Sequence, residues 1–557
     1  MKQKLSLRRM RQHPDLEQLK RQAKELLAAF RAGDAAAVHE VNTCYDDVQR
    51  ATFALHDAQL VIARSYGFDS WPKLKAYVDG VTIRRLVDAV RIGNIKSVQA
   101  MLKARPELAN MAVSYSDEHR AIHHAVMHRE PEITRLLMCN GADARAGIHP
   151  HRDATSAWTL AQERGYDDIV AILREEENRR AKAVHEPTTA PAVEPDDAAR
   201  TAVANGDLRW LRSRLADGKL ANTVRWSDGG LLTVAVRNHR PEVLEFLLDE
   251  CRFDPDERVS GGEGDWTAFS QGHPLWRAAD MGLSEMATLL LDHGADPNVH
   301  VDSSGSPVHG AYSHQQWAMV ALLRARGGFV TADTAALYRE TEHARQILAD
   351  EDRGRSPRNI TLTEGSVVED LLRFGGDGGA TEIVRMALAR VDWPRQDVRW
   401  FRMLEAPLYF WHHIPWLRAG NRALDRSGYL ECFLLVLGAC DANVAGPFGR
   451  TILHEIAAMR DFITDEEVTA FGRAALEAGA RTKDRDGILK STPLGWACRW
   501  GRIQLVRLLL DHGAVAVEKD AETWAQPLAW ARKMGHSAIV ALLIDQSGSI
   551  RLSDSAP

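Results

Sequence analysis

The chain has 557 residues, more than one hydrophobic core of ordinary size accommodates, so several domains or a repeat array are expected. Its apolar (45%) and charged (26%) fractions match a folded globular composition, not a disordered or membrane one. A net charge of −6 argues against a nucleic-acid binder that relies on bulk positive charge, and no run of 18 apolar residues is available to span a membrane.

Taken in chain order, Met1 to Arg11 is basic but leads into His13-Pro14-Asp15 with no apolar core, so a secretory signal is not expected. Residues 1–80 form a helical N-terminal module in this reading. Leu16, Leu19, Ala23, Leu26, Leu27 and Phe30 make one apolar helical face, and Leu55, Ala58, Gln59, Ile62 and Tyr66 a second. Ser70 before Trp71-Pro72 is a helix cap followed by a proline that opens the next helix.

A short array of helix pairs is expected over 84–178. Its clearest unit begins Ile122-His123-His124-Ala125 and ends Gly141-Ala142-Asp143. Residues 179–197, with Pro187, Pro191 and Pro195 and no apolar period, read as a semi-rigid linker. A long array then fills 198–548, with a degenerate stretch at about 331–430, and 549–557 is expected to be a disordered tail.

The long array carries the strongest pattern. Thr492-Pro493-Leu494-Gly495-Trp496-Ala497-Cys498 runs to Gly501, and a second helix with Leu505, Val506 and Leu508 to Leu510 ends at Gly513-Ala514. Pro527-Leu528-Ala529-Trp530-Ala531 leads to Gly535, 34 residues after Gly501, and His273-Pro274-Leu275 opens another copy with Gly282 in its middle. The proline sets φ at the first turn, where its missing N–H costs nothing, and the mid-unit glycine ends the first helix in a left-handed conformation. Neither helix of a pair hides its apolar stripe alone, so units must stack.

These units resemble the ankyrin repeat, with its period of about 33 residues and T-P-L-H-x-A start. The likeness is close at 273–299 and 491–543, good at 120–143, 156–173, 306–328 and 450–480, and looser at 84–105, 198–216 and 230–249. It implies an all-α solenoid of stacked helix–turn–helix units with hairpin-loop tips, here preceded by a small helical cap. The N-terminal module is similar to one found ahead of many bacterial ankyrin arrays, which implies a bacterial chain.

The resemblance implies protein partners gripped by the hairpin tips and by the two residues before each mid-unit glycine. Those positions are Arg91 and Ile92, Glu163 and Arg164, Asp280 and Met281, Arg499 and Trp500, and Lys533 and Met534. Where the glycine is replaced, Met127 and His128 or Arg237 and Asn238 fill the slots. Trp500 beside Arg499 is the leading candidate, because Trp and Arg dominate interface hot spots. The other tryptophans, Trp158 and Trp496 among them, are expected to fill the stack. Three tips exceed what the repeat needs, Phe253 to Gly272, Val299 to Ser306 and Arg481 to Ser491, and long loops on a rigid scaffold often bind. Gly375-Gly376-Asp377-Gly378-Gly379 reads as a helix-to-helix turn.

No catalytic residues, cofactor or metal site are expected. His454-Glu455 lacks a second histidine at Ala458 and occupies, with His123 and His309, the family's structural histidine slot. The six dispersed cysteines read as buried thiols in a reducing, cytoplasmic compartment. The expected function is a monomeric, non-catalytic protein–protein interaction scaffold that binds neither nucleic acid nor membrane. Two alternatives stay open. One is an enzyme or small-ligand binder with a pocket at 405–426, around Trp411, His412 and His413, and the other is a self-associating structural element.

Overall fold

A computed structural model describes residues 16–42, 53–66, 68, 70–78, 82–113, 118–148, 151–185, 195–225, 228–260, 267–269, 273–301, 304–357, 360–361, 366–410 and 426–553. The chain divides into two compact units, one made of Met1–Ala146 with Asp168–Phe329 and the other of Gly147–Asp167 with Val330–Pro557. The division therefore does not fall at the expected linker. Helix Asp167–His185 runs through the first part of 179–197, and Pro195 opens the next helix, leaving 186–194 outside the described residues. Charge continues that helix where apolar periodicity stops: Arg145 forks onto Glu177 (2.9 Å), and Arg180 reaches the Ala142 carbonyl (2.9 Å).

In the first unit, helices Leu16–Ala32, Ala35–Asn42, Leu55–Ser65 and Trp71–Val78 close around Leu19, Ala23, Leu26, Phe30, Phe53 and Ile62. The last of them packs against Ile95–Ala104, the second helix of the first pair. Arg105, fully buried, lies over the Phe68 and Tyr77 rings at 5.8 and 6.0 Å. The module thus covers the apolar side of a repeat that has no preceding neighbour.

The helix pairs of this unit are Ile83–Arg91 with Ile95–Ala104, Ala121–Met127 with Pro131–Cys139, Pro195–Asn205 with Leu208–Ala216, and Leu231–Arg237 with Pro241–Asp249. Pro274–Asp280 with Ser284–Asp292 and Pro307–Ser313 with Trp317–Ala325 follow. First helices lean on first helices: 83–91 on 121–127, and 195–205, 231–237, 274–280 and 307–313 in succession. The tip after Asp249 carries a two-stranded antiparallel hairpin, β1 (Arg258–Ser260) and β2 (Thr267–Phe269), paired Arg258 to Phe269. Short hairpins at tips are compatible with the all-helical stack, because strands add no layer to the core.

The second unit repeats the plan with Ala332–Leu337 and Thr341–Asp352, Val367–Gly378 and Thr381–Leu388, and Arg399–Glu405 running into the 3-10 turn Ala406–Tyr409 before Ser427–Ala439. Ile452–Ala457 and Asp465–Glu477, Pro493–Arg499 and Ile503–Asp511, and Pro527–Lys533 and Ser537–Ser553 complete it. The described residues of the degenerate stretch therefore form helix pairs as well. The expected turn at 375–379 is a correction: Gly375, Gly376 and Gly378 are buried inside the helix, and only Gly379 takes a left-handed φ (64°) as its cap. A Cβ on Gly378 would stand 2.5 Å from the Leu337 carbonyl oxygen, and one on Gly376 would stand 3.1 Å from Ala406 Cβ. These glycines admit neighbouring chain; they do not turn it.

Two devices recur between repeats. The structural histidine sits at the third position of a first helix and faces both ways. His123 Nδ1 accepts from the Arg120 N–H (3.0 Å) and its Nε2 reaches the Ala146 carbonyl (2.9 Å), while His454 does the same with Thr451 N–H and the Ser491 carbonyl (3.0 Å each). Burial pushes His123 down to about 4, which keeps the imidazole neutral for this dual role. The second device is an asparagine in the tip. Asn110, Asn298 and Asn443 each donate to a glycine carbonyl one repeat on (Gly141, Gly327, Gly479; 2.7, 3.0 and 3.0 Å) and accept a backbone N–H two residues past it.

Candidate functional site

The mid-unit glycine does what its slot demands: Gly282 and Gly501 both have φ of 71°, and where the slot holds Arg129 or His239 those residues accept 54°. Reversing the chain there leaves the two preceding residues at the end of the first helix, on the face away from the second. In the first unit most of these residues are open or half-buried. Ile92 is 76% exposed, Arg91 donates to His124 Nδ1 (3.4 Å), and His128 and Asn238 are exposed beside half-buried Met127 and Arg237. Asp280 is held by Arg277 (3.0 Å) and by His314 of the next pair (2.9 Å), with Met281 half-buried next to it.

The second unit treats the same slots differently. Arg499 is 7% exposed and makes an ion pair with Glu163, which is 8% exposed. Lys533 Nζ donates to the carbonyls of Glu163 (2.6 Å) and Gln162 (3.3 Å). Arg164 donates to the Ile488 carbonyl, in the long tip 481–491, and its guanidinium lies 5.0 Å over the Trp524 ring. Glu163, Arg499 and Lys533, all expected to face a partner, thus meet each other, while Arg164 faces Ile488 and Trp524. The correction for Glu163, Arg164 and Arg499 is that they are buried rather than presented. Met534 alone of this set is an exposed apolar residue, at 42%.

The incoming segment comprises helices Arg152–Thr155 and Ala157–Glu163, the latter capped by Ser156 Oγ accepting from Thr159 N–H (3.0 Å). Its other end is fixed by His151. That imidazole meets the Trp496 and Trp500 rings edge-on, with centroids at 5.4 and 5.6 Å, and its Nε2 lies 3.0 Å from Glu455. Trp500 is half-buried, stacked on Trp496 at 4.9 Å, with the Arg499 guanidinium 4.5 Å over it. Trp496 fills the core as expected, its Nε1 donating to Asp486 (2.9 Å), whereas Trp158 is only half-buried.

Asp486 organises the 481–491 tip by accepting from the N–H groups of Ile488 (2.8 Å), Leu489 (2.7 Å) and Ser491 (3.1 Å), which turns the Ile488 carbonyl toward Arg164. Glu257 does similar work in the first unit. It accepts from Gly230 N–H (2.7 Å), Leu232 N–H (2.7 Å), Thr233 Oγ1 (2.6 Å) and Asn222 (3.0 Å), standing in for the side chain that the N-cap glycine of Leu231–Arg237 lacks. Glu257 has no sequence signature, since it serves groups brought to it from 24 to 35 residues away, whereas Asp486 caps a local turn two to five residues on.

Of the 405–426 region, 411–425, including Trp411, His412 and His413, lies outside the described residues. Glu405, Leu408 and Tyr409 line a cavity of about 40 Å³ with His151, Glu455 and Met459. That volume holds a few water molecules, not a substrate. Burial, reinforced by Glu455, pushes Glu405 up to about 8, while Glu455 is held down at about 2, where Arg450 (2.9 Å) and His151 outweigh its burial. Such a split pair is what acid–base chemistry needs, and among the described residues the cavity beside it is of water size. Among the described residues no group of three metal-ligating side chains converges, and no helix is long and apolar enough to cross a membrane.

Of the cysteines, Cys251, Cys432, Cys440 and Cys498 are buried as expected, Cys139 is exposed, and Cys44 lies outside the described residues.

Comparison with known families returns the model described as ankyrin repeats in three copies at residues 422–520 and 467–554, and a single ankyrin repeat at 273–301. No curated protein matches the chain. The matched segments include the helix pairs whose left-handed glycines, bridging histidine and tip asparagines have just been described. The chain carries ankyrin repeats at residues 273–301 and 422–554.

Proposed function

We propose that this protein is a non-catalytic scaffold that binds a protein partner on the first-helix face of its repeats, as a monomer and without a cofactor, in the cytoplasm. Ankyrin repeats are generally protein–protein interaction modules. The observation that carries the reading is in the second unit, where Arg499, Trp500 and Lys533 hold a polypeptide segment with ion pairs, carbonyl contacts and ring contacts. A face that grips helix 157–163 in this way has the chemistry to grip a foreign helix at the equivalent open slots.

In the first unit those slots are Arg91, Ile92, Met127, His128, Arg237, Asn238, Asp280 and Met281. Ile92 is the residue to test, because an aliphatic side chain 76% exposed at the end of a well-packed helix gains about 1.5–3 kcal/mol from full burial by a partner. A photoreactive benzoylphenylalanine is placed at 92, and separately at exposed Glu285 on a second helix, in the cell that makes the protein. Irradiation is expected to join position 92 to a discrete protein and position 285 to none. Absence of an adduct at 92, or the same adducts at both, refutes the assignment.

A further inference from the structure

Residues 147–167 belong to the C-terminal unit although the chain on either side belongs to the other. They contribute no second helix there. They lie instead across the ends of three first helices, with His151 on Glu455 and Trp496, Glu163 on Arg499, and the last carbonyls of helix 157–163 on Lys533. A cation at a helix C-terminus serves orphan carbonyls and meets the negative end of the helix dipole. The contacts are those of a ligand in a groove: a ring and a carboxylate receive one end, two cations receive the other, and Arg164 hooks a tip carbonyl.

The docking is incomplete in a telling place. Among the described residues Glu163 Oε2 and Arg499 Nε are buried without a hydrogen-bond partner, although the two groups are ion-paired through their other atoms. Desolvating a carboxylate and a guanidinium costs several kcal/mol each, and the pairing offsets this only when the remaining lone pairs and protons are also satisfied. Burial accordingly pushes the Glu163 carboxyl up despite Arg499 and Lys533 beside it. The two helices are four and seven residues long, the second matching the groove helix 493–499, so like it they depend on packing to stay folded. The groove supplies part of the packing that the segment needs, and the half-satisfied ion pair weakens its hold there.

We infer that the groove formed by Arg499, Trp500, Lys533, Glu455 and the 481–491 tip is a helix-binding surface, that residues 147–167 are its internal ligand, and that its external partner is a short helix ending in a glutamate and an arginine, which enters by displacing them. This rests on the proposed scaffold function and names the partner chemistry for one face of it. The occupied groove is also a means of regulation, since a partner must outcompete a tethered segment whose effective concentration is high.

The test uses the full chain and a fluorescent synthetic peptide of residues 147–167. In the wild type the peptide is excluded. In a Glu163→Ala, Arg164→Ala chain the internal copy is weakened and the groove left intact, and the peptide is expected to bind at least tenfold more tightly than to wild type. Adding Arg499→Ala and Lys533→Ala is expected to abolish that binding. In wild type, amides of 157–163 are expected to exchange hydrogen at least tenfold faster than those of 493–499. Equal protection of the two helices, no gain in peptide binding, or loss of the 493–511 fold in the double variant makes the segment a permanent part of the core and overturns the inference. A concentration-dependent dimer of the wild type overturns it differently, by making the occupant another copy's segment. None of these results bears on crosslinking at Ile92, so the broader reading stands or falls separately.

Discussion

Glycine-to-alanine substitution inside a helix ordinarily stabilises, by up to about 1 kcal/mol, because it removes backbone freedom from the unfolded chain. Gly438 in helix Ser427–Ala439 should behave this way, since a Cβ there meets nothing within 4 Å. Gly378 should do the reverse. Its Cβ would lie 2.5 Å from the Leu337 oxygen, 2.9 Å from the Ala336 oxygen and 2.9 Å from Leu337 Cα, all of them backbone. No rotamer change relieves a clash with main chain, so helices 332–337 and 367–378 must separate by a sizeable fraction of an ångström, which costs about 1–3 kcal/mol. As the last helical residue before left-handed Gly379, Gly378 gains little propensity in return. The net expectation for Gly378→Ala is a loss of about 1–3 kcal/mol, and for Gly438→Ala a gain of up to about 1 kcal/mol. A long repeat array need not unfold in one step, so the assay is hydrogen exchange resolved to peptides covering 332–337, 367–378 and 427–439. If Gly378→Ala left the first two peptides as protected as in wild type, the close-approach account of the 375–379 glycines would be wrong.

Three further outcomes follow from the same coordinates. Glu405 at about 8 and Asp377, which burial pushes up to about 7, keep protons in the fold that the unfolded chain releases near 4.5 and 3.8. Their contribution is full below those values and is lost as pH rises toward 8. Glu455 at about 2 acts in the opposite sense, its contribution being lost only in acid. Between pH 5 and 8 the C-terminal unit should therefore lose stability, and Glu405→Gln should reduce that loss by about 1–2 kcal/mol in pH-resolved denaturant titrations; an unchanged slope refutes it. Glu257→Gln, which replaces an acceptor of five hydrogen bonds by an amide with one acceptor oxygen, should cost about 1.5–3 kcal/mol and raise exchange in 231–237 first. Native alkylation read by mass spectrometry should modify Cys139 well before Cys251, Cys432 and Cys440, whose thiols burial pushes up to about 12; comparable rates would contradict their burial.

Much of the fold was legible because each repeat announces itself locally. The proline at the first turn, the small residues after it, the slot that takes a positive φ and the leucine stripe all lie within one unit, and each has a single physical reading. His123 and His454 were legible for the same reason: a histidine at the third helical position can reach its own N-cap. The 375–379 glycines misled because a turn and a close helix contact call for the same residue. The tip asparagines passed unnoticed because one polar residue per unit makes no pattern until its partner one repeat away is placed.

The sequence by itself determined that this chain builds stacked helix pairs and which side chains stand at the end of each first helix. Only tertiary structure decided which of those ends stay open and which are filled. Arg91 and Arg499 occupy equivalent slots, yet one is exposed and the other is sealed by Glu163, 336 residues away. The physical reason is range. Helix periodicity is written in neighbours three and four residues apart, whereas a buried ion pair, a carboxylate collecting backbone N–H groups or a cavity between Glu405 and Glu455 depends on distances that exist only after the chain has stacked.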